Sequence, residues 1–306
     1  LSNISFFRRS ECAANDNKVV PPPTPPTLNL HLGDCLDVLK AVADSSVHLV
    51  AIDPPYNTTR LQWDKAIPFE ELWPELRRIL TPTGTVVMTA AQPFTSMAVM
   101  SAPDLFKFAM VWKKSRATGH LLSKNRPMMQ HEDVLVFSKG VTAHPDRSSR
   151  RMTYNPQGMV ELETPIRTRN GRQSGLYNNN GQMGGANGFH HFDGKGYQTF
   201  NGGRVRYKDE VRVQTHTGFP TSILSFDSVH MPVHSTQKPV ELFDYLIRTF
   251  SNPGDVVMDP TMGSGTTGVA ALAAGRHFIG VERDPVYFQI ASGRINGAFE
   301  RGKEAA

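Results

Sequence analysis

Val256-Val257-Met258-Asp259-Pro260-Thr261-Met262-Gly263-Ser264-Gly265-Thr266 runs from a short apolar stretch into a glycine-rich turn. The apolar residues read as a buried strand, and the polar cluster lies at its carboxyl end. Open α/β sheets bind their ligands at that edge. Thr266 to Ala274 reads as a helix, so the turn offers backbone N–H groups and a helix N-terminus to a ligand. A nucleoside-bearing cofactor suits such a turn. The next strand, His277 to Val281, ends at Glu282, where an acid can hold two ribose hydroxyls. Gly263, Gly265 and Gly268 match a G-x-G-x-x-G spacing loosely, which serves a nicotinamide dinucleotide or S-adenosylmethionine alike.

A second strand-then-acid junction chooses between them. Val47 to Ile52 is apolar and delivers Asp53-Pro54-Pro55-Tyr56. The exocyclic amine of adenine or cytosine is a poor nucleophile, because its lone pair is delocalised into the ring. A carboxylate and a carbonyl oxygen, each accepting one N–H, draw the nitrogen toward tetrahedral geometry. Asp53 supplies the carboxylate. Pro54 supplies a carbonyl on a backbone stiffened by Pro55, which also lacks a competing donor. Tyr56 offers a flat face for an extruded base, worth about 1–3 kcal/mol. Such a pocket has no use for hydride. The two runs together point to methyl transfer onto a nucleobase amine, and the absence of a Pro-Cys turn beside the pocket argues against attack on cytosine carbon-5.

Working outward, strands and helices alternate. Leu28 to Leu32 reads as a strand ending at Gly33-Asp34, and Leu36 to Ala43 as a helix that Asp34 can cap. Asp34 also stands where a cofactor's adenine would lie. Glu70 to Leu80 and Val240 to Phe250 have helical spacing. Gly84 to Thr89, Phe106 to Trp112 and Val134 to Phe137 read as strands, and Pro285 to Ile295 as the closing helix. The alternation predicts a mostly parallel sheet covered by helices. Four segments follow: 1–27, a disordered proline-rich tail; 28–140, a catalytic half; 141–230, a target recognition region, partly disordered; and 231–306, a cofactor-binding half. Asn170 to Gly203 holds ten glycines and few residues able to build a core, so it is expected to be mobile without a partner. Arginines such as Arg150, Arg151, Arg167, Arg204 and Arg212, with Tyr154, Tyr177, Tyr197 and Tyr207, mark the middle region as a DNA contact.

The net charge of +5 fits a polyanionic partner. Cys12 and Cys35 form no disulfide framework, which places the chain in a reducing cytoplasm. No apolar run is long enough to span a membrane. His230 and His234 are separated by Pro232 with no supporting acids, so no metal site is expected.

These motifs resemble those of the amino-group DNA methyltransferases in their beta arrangement, where the catalytic motif precedes the cofactor motif. Gly33-Asp34-Cys35-Leu36 resembles the cofactor-adenine motif, Asp53 to Tyr56 the catalytic motif, and His234-Ser235-Thr236-Gln237-Lys238-Pro239 a run lying against the cofactor's methionine end. Trp112-Lys113-Lys114 and His131-Glu132-Asp133 are similar to later sheet strands, and Tyr154 to Gln157 and Phe219 to Leu224 to segments flanking recognition regions in phage and prophage members. The resemblance implies a Rossmann-like class I methyltransferase fold, circularly permuted, with a seven-stranded sheet and an inserted recognition region. It implies S-adenosylmethionine held by Asp34, Cys35, Thr236, Lys238, Asp259, Pro260, Met262, Gly263, Ser264, Gly265, Thr266 and Glu282. Asp53, Pro54, Pro55 and Tyr56 are then catalytic, and an Asp at the head of the motif accompanies adenine N6 specificity in double-stranded DNA. A cytosine-N4 enzyme shares nearly every motif; a protein-glutamine methyltransferase and a non-enzymatic DNA-binding module fit fewer. A homodimer and a cognate restriction endonuclease, in a bacterial or phage-infected cell, complete the expected partners.

Overall fold

The computed structural model describes residues 25–57, 64–142, 149–169, 190–192, 197–199, 211–230 and 237–304. The first half runs β1 (Leu28–Leu32), α1 (Cys35–Ala41), β2 (Val47–Ile52), α2 (Phe69–Ile79), β3 (Leu80–Ala90), α3 (Phe94–Ser101), β4 (Phe106–Thr118) and β5 (Met129–Ser138). The middle carries β6 (Val160–Arg169), β7 (His190–Phe192), β8 (Tyr197–Thr199), β9 (Val211–Thr217) and β10 (Ile223–Phe226). The last part runs α4 (Val240–Phe250), β11 (Val256–Asp259), α5 (Thr266–Ala273), β12 (His277–Glu282) and α6 (Pro285–Glu304).

The main sheet has the order β1-β12-β11-β2-β3-β5-β4-β10. Its pairs are parallel except where β5 runs antiparallel to β3 and β4. The two ends of the chain therefore close one sheet, with Val257 opposite Leu49 and Met258 opposite Val50. Central parallel strands are covered on both faces, which is why β2 reads as a nearly unbroken apolar run. Leu49 and Ala51 join the core under α4, α5 and α6, with Leu246, Phe250, Ala270 and Ile295. Val50 and Ile52 point the other way, into the core with Leu39, Leu72, Leu76 and Ala98.

The expected α/β order holds, with three corrections. The described sheet has eight strands rather than seven. The eighth is β10, which lies inside the stretch 141–230 assigned to recognition. It is tied to β4 by the Trp112 indole N–H donating to the Phe226 carbonyl at 2.9 Å and by buried Leu224. Four residues offer too little periodicity for such a strand to stand out in sequence. Helix α3 went unread because Phe94–Ser101 is apolar nearly all round. The middle also holds an antiparallel ribbon, β6 with β9, and the short pair β7 with β8. Its order comes from backbone pairing, with Val160, Ile166 and Val213 left exposed. The proline-rich tail up to residue 24, and most of the tract expected to be mobile, lie outside the described residues.

Candidate active site

The sheet order explains how distant motifs meet. Strands β1, β12, β11 and β2 are consecutive neighbours and parallel, so their carboxyl ends share one edge. An acid stands at or just beyond each end: Asp34, Glu282, Asp259 and Asp53. With strands about 4.8 Å apart, four ends span roughly 14 Å. A cavity of about 1570 Å³ runs along this edge, lined by all four acids together with Pro54, Pro55, Tyr56 and Lys238.

At one end Asp34 caps α1, its carboxylate accepting the Leu36 N–H at 2.9 Å. Glu282 accepts from the Gly263 N–H at 2.9 Å and the Asp284 N–H at 2.8 Å. Gly263 has φ 51°, a left-handed conformation that turns its N–H toward Glu282. Asp259 is buried; it accepts from the Thr261 N–H at 3.0 Å and from the Thr267 hydroxyl. Burial pushes its carboxyl up to about 7, and burial raises Glu282 from its ordinary value as well. Cys35 is buried, and its thiol is pushed up to about 11, leaving no thiolate near neutrality.

This donor set decides which nucleoside cofactor fits. A pyrophosphate would face Asp259 and Glu282, and the Gly263 N–H that could cradle it is already donated to a carboxylate. A sulfonium cation meets the opposite field. The acidic edge therefore fits S-adenosylmethionine and opposes a dinucleotide.

At the other end, Asp53 follows β2 and is held from three sides. Its Oδ1 accepts the Tyr56 hydroxyl at 2.9 Å and the Thr89 hydroxyl. Lys238 Nζ lies 2.8 Å from Oδ2 and 2.7 Å from Oδ1. Thr261 Oγ1 donates to the Asp53 carbonyl at 3.2 Å, joining the two motifs directly. The Tyr56 ring packs on Phe94 with centroids 5.1 Å apart, and Lys238 Nζ lies over it, 5.6 Å from its centroid. Burial and the neighbouring Asp53 raise the Tyr56 phenol well above its ordinary value, so it stays a donor. Asp53 and Glu132 raise the Lys238 ammonium against the opposing effect of burial, so it stays charged.

Of the residues singled out from sequence, Asp34, Cys35, Asp53, Pro54, Pro55, Tyr56, Lys238, Asp259, Pro260, Met262, Gly263, Ser264, Thr266 and Glu282 all line this cavity. Gly265 does not. Its φ is 82°, and a Cβ there would stand 2.9 Å from Ile295 Cδ1, so it serves helix packing. Thr236 lies outside the described residues. Lys238, expected at the methionine end, reaches Asp53 and Glu132. Sequence reasoning gave no role to Glu132 or Thr89. No local signal singled Glu132 out: His131 and Glu132 both line the cavity, while Asp133 accepts from Thr95 on α3.

A mostly parallel sheet in which β2 precedes β11 in the chain yet pairs with it, with four acids along one carboxyl edge, is a Rossmann-like class I methyltransferase fold. The chain belongs to the N6_N4_Mtase family, described as DNA methylase, whose model matches residues 47–293. It is 28% identical over 286 residues to the type II methyltransferase M1.MboII of Moraxella bovis, covering 87% of this chain and 96% of that one. The M1.HpyAVI–SAM complex superposes with a TM-score of 0.51 at 20% identity, covering 88% and 100% of the two chains. The PvuII DNA methyltransferase, cytosine-N4-specific, superposes with a TM-score of 0.56 at 15% identity, covering 92% and 95%. The expectation of an S-adenosylmethionine-dependent amino DNA methyltransferase holds at this level. No helix among the described residues is long and apolar enough to cross a membrane.

Proposed function

We propose that the protein methylates adenine N6 at specific sites in duplex DNA. The observation that carries this reading is Asp53, backed by Thr89 and Tyr56, at the head of an Asp-Pro-Pro-Tyr turn whose residues line the cavity. When bound, S-adenosylmethionine supplies an electrophilic methyl group on a sulfonium. A base extruded from the duplex enters beside Tyr56 and stacks on its ring. Asp53 accepts one amine N–H and the Pro54 carbonyl accepts the other, which turns the lone pair toward the methyl. Asp53 then takes the proton that the amine sheds. No covalent enzyme intermediate is needed, and Cys35 offers none.

The DNA side of the reading rests on the hairpin joining β4 and β5. Thr118, Arg126 and Met129 line the cavity mouth. Between them the 3-10 turn His120–Leu122 holds Leu121 out at 96% exposure, with Arg116, Lys124 and Arg126 nearby in sequence. An apolar tip among cations suits a duplex whose stack is opened, with the cations on phosphates. The arginine-bearing ribbon of β6 and β9 supplies further contacts for recognition. Neither a homodimer nor a cognate endonuclease enters the mechanism; both stand as proposed partners.

Cytosine N4 is the competing acceptor, because its amine makes the same two hydrogen bonds. Nucleoside mass spectrometry of DNA from unmethylated bacterial cells expressing the chain separates them. N6-methyldeoxyadenosine is expected; N4-methyldeoxycytidine in its place would overturn the adenine assignment while leaving the amine pocket standing.

A further inference from the structure

Asp53 is more fully occupied than an amine acceptor can be during the reaction. Oδ1 already receives the Tyr56 and Thr89 hydroxyls, so Oδ2 is the oxygen left for a substrate N–H, and Lys238 Nζ straddles the carboxylate, 2.8 Å from Oδ2 and 2.7 Å from Oδ1. The same nitrogen lies over the Tyr56 ring, on which a base would stack. In both respects the ammonium takes the position of the target amine.

A second acceptor waits beside it. Glu132 Oε2 lies 3.2 Å from Lys238 Nζ, yet this oxygen is buried and has no aligned hydrogen bond among the described residues. The other oxygen, Oε1, is anchored by Lys114 Nζ at 3.0 Å. Such an oxygen is ion-paired but short of an aligned hydrogen bond, and a state of the site in which the ammonium turns to it would complete that bond. The backbone of Lys238 is fixed by the Thr266 hydroxyl donating to its carbonyl at 3.3 Å. Rotation about the last torsions of the side chain alone therefore moves the ammonium between its two carboxylates.

We propose that Lys238 stands in for the target amine, holding Asp53 before a base enters and passing to Glu132 when one does. This rests on the reading of Asp53 as the amine acceptor. Lys238 and Glu132 are positioning residues that act through Asp53. The exchange keeps the ammonium paired throughout: two cations, Lys114 and Lys238, face two carboxylates before it, and Glu132 keeps both cations after it while Asp53 turns to the base. The raised Lys238 ammonium agrees with a group that remains charged at either station.

A double-mutant cycle tests the exchange. Methyl transfer from labelled S-adenosylmethionine to unmethylated bacterial genomic DNA is measured for the native chain, E132L, K238M and E132L/K238M. Cofactor affinity is measured alongside by calorimetry. In E132L the ammonium has only Asp53, so transfer should fall by more than about tenfold while cofactor affinity holds. Removing the ammonium as well should restore activity, making the double variant faster than E132L and the loss in K238M smaller than in E132L. A double variant no faster than E132L would overturn the exchange. Should E132L fail to fold, E132Q replaces it: its single acceptor oxygen predicts an intermediate loss, again relieved by K238M and, absent that relief, equally fatal to the proposal. Retained transfer in D53A would instead remove the reading of Asp53 itself, so the two failures are distinguishable.

Discussion

Replacing Asp259 by Asn should flatten the pH dependence of S-adenosylmethionine binding. Burial raises this carboxyl from 3.8 to about 7 in the free protein, outweighing the Thr267 and Thr261 hydrogen bonds that favour its ionised form. A cationic ligand in the trough favours the ionised carboxylate, so affinity should climb as pH rises through that value. The ionised fraction goes from about a tenth at pH 6 to about nine-tenths at pH 8, which sets an affinity gain of about tenfold, or about 1.4 kcal/mol. Asn keeps a carbonyl oxygen for the Thr261 N–H and cannot titrate. The cofactor's own α-amino group titrates at about 8 in both proteins, so the difference between them isolates Asp259. Calorimetry at pH 6, 7 and 8, in two buffers of different ionisation enthalpy, reads both affinity and protons released. Equal pH slopes for the native protein and D259N would refute the reasoning. The same shift works against folding: a carboxyl raised on folding contributes stability below about pH 4 that is lost as pH rises to about 7. The melting temperature of D259N should therefore gain on that of the native protein between pH 4 and pH 8.

Glu282→Ala removes the acceptor for the Gly263 and Asp284 N–H groups as well as the proposed ribose contact. Cofactor affinity should fall by about 10- to 100-fold by calorimetry, on the order of 1.4–2.7 kcal/mol. Gly268→Ala puts a Cβ 2.6 Å from both Ile295 Cδ1 and Phe278 Cε1 inside the core. Urea unfolding should show a loss of about 1–3 kcal/mol, since the packed helix and strand cannot both give way.

The legible parts of this chain are those where one element answers to one local rule. Strand β2 announced itself as an apolar run ending in an acid, and Glu282 as the acid closing β12, because burial on both faces leaves a continuous hydrophobic signature. Their meeting was legible only through chemistry, since the adjacency of β11 and β2 is a long-range pairing that no local pattern encodes. Glu132 stayed hidden for a related reason. On an antiparallel strand an acid facing a cavity and an acid facing a helix differ only in parity, and His131-Glu132-Asp133 gives no clue to which face is which. The placement of Lys238 depends on the sheet bringing residue 238 to residue 53, so its motif suggested the cofactor while its side chain reaches Asp53.

The central claim is that the Asp53 carboxylate, beside the Pro54 carbonyl, orients the amine that is methylated. Single-turnover methyl transfer by D53A at saturating S-adenosylmethionine tests it most directly, with cofactor affinity measured on the same protein. Removing one preorganised acceptor of this kind should slow transfer by about a hundredfold or more. Cofactor affinity should stay within about threefold, a difference below 1 kcal/mol. Transfer at a rate close to that of the native protein, or a loss traced wholly to weaker cofactor binding, would contradict the account.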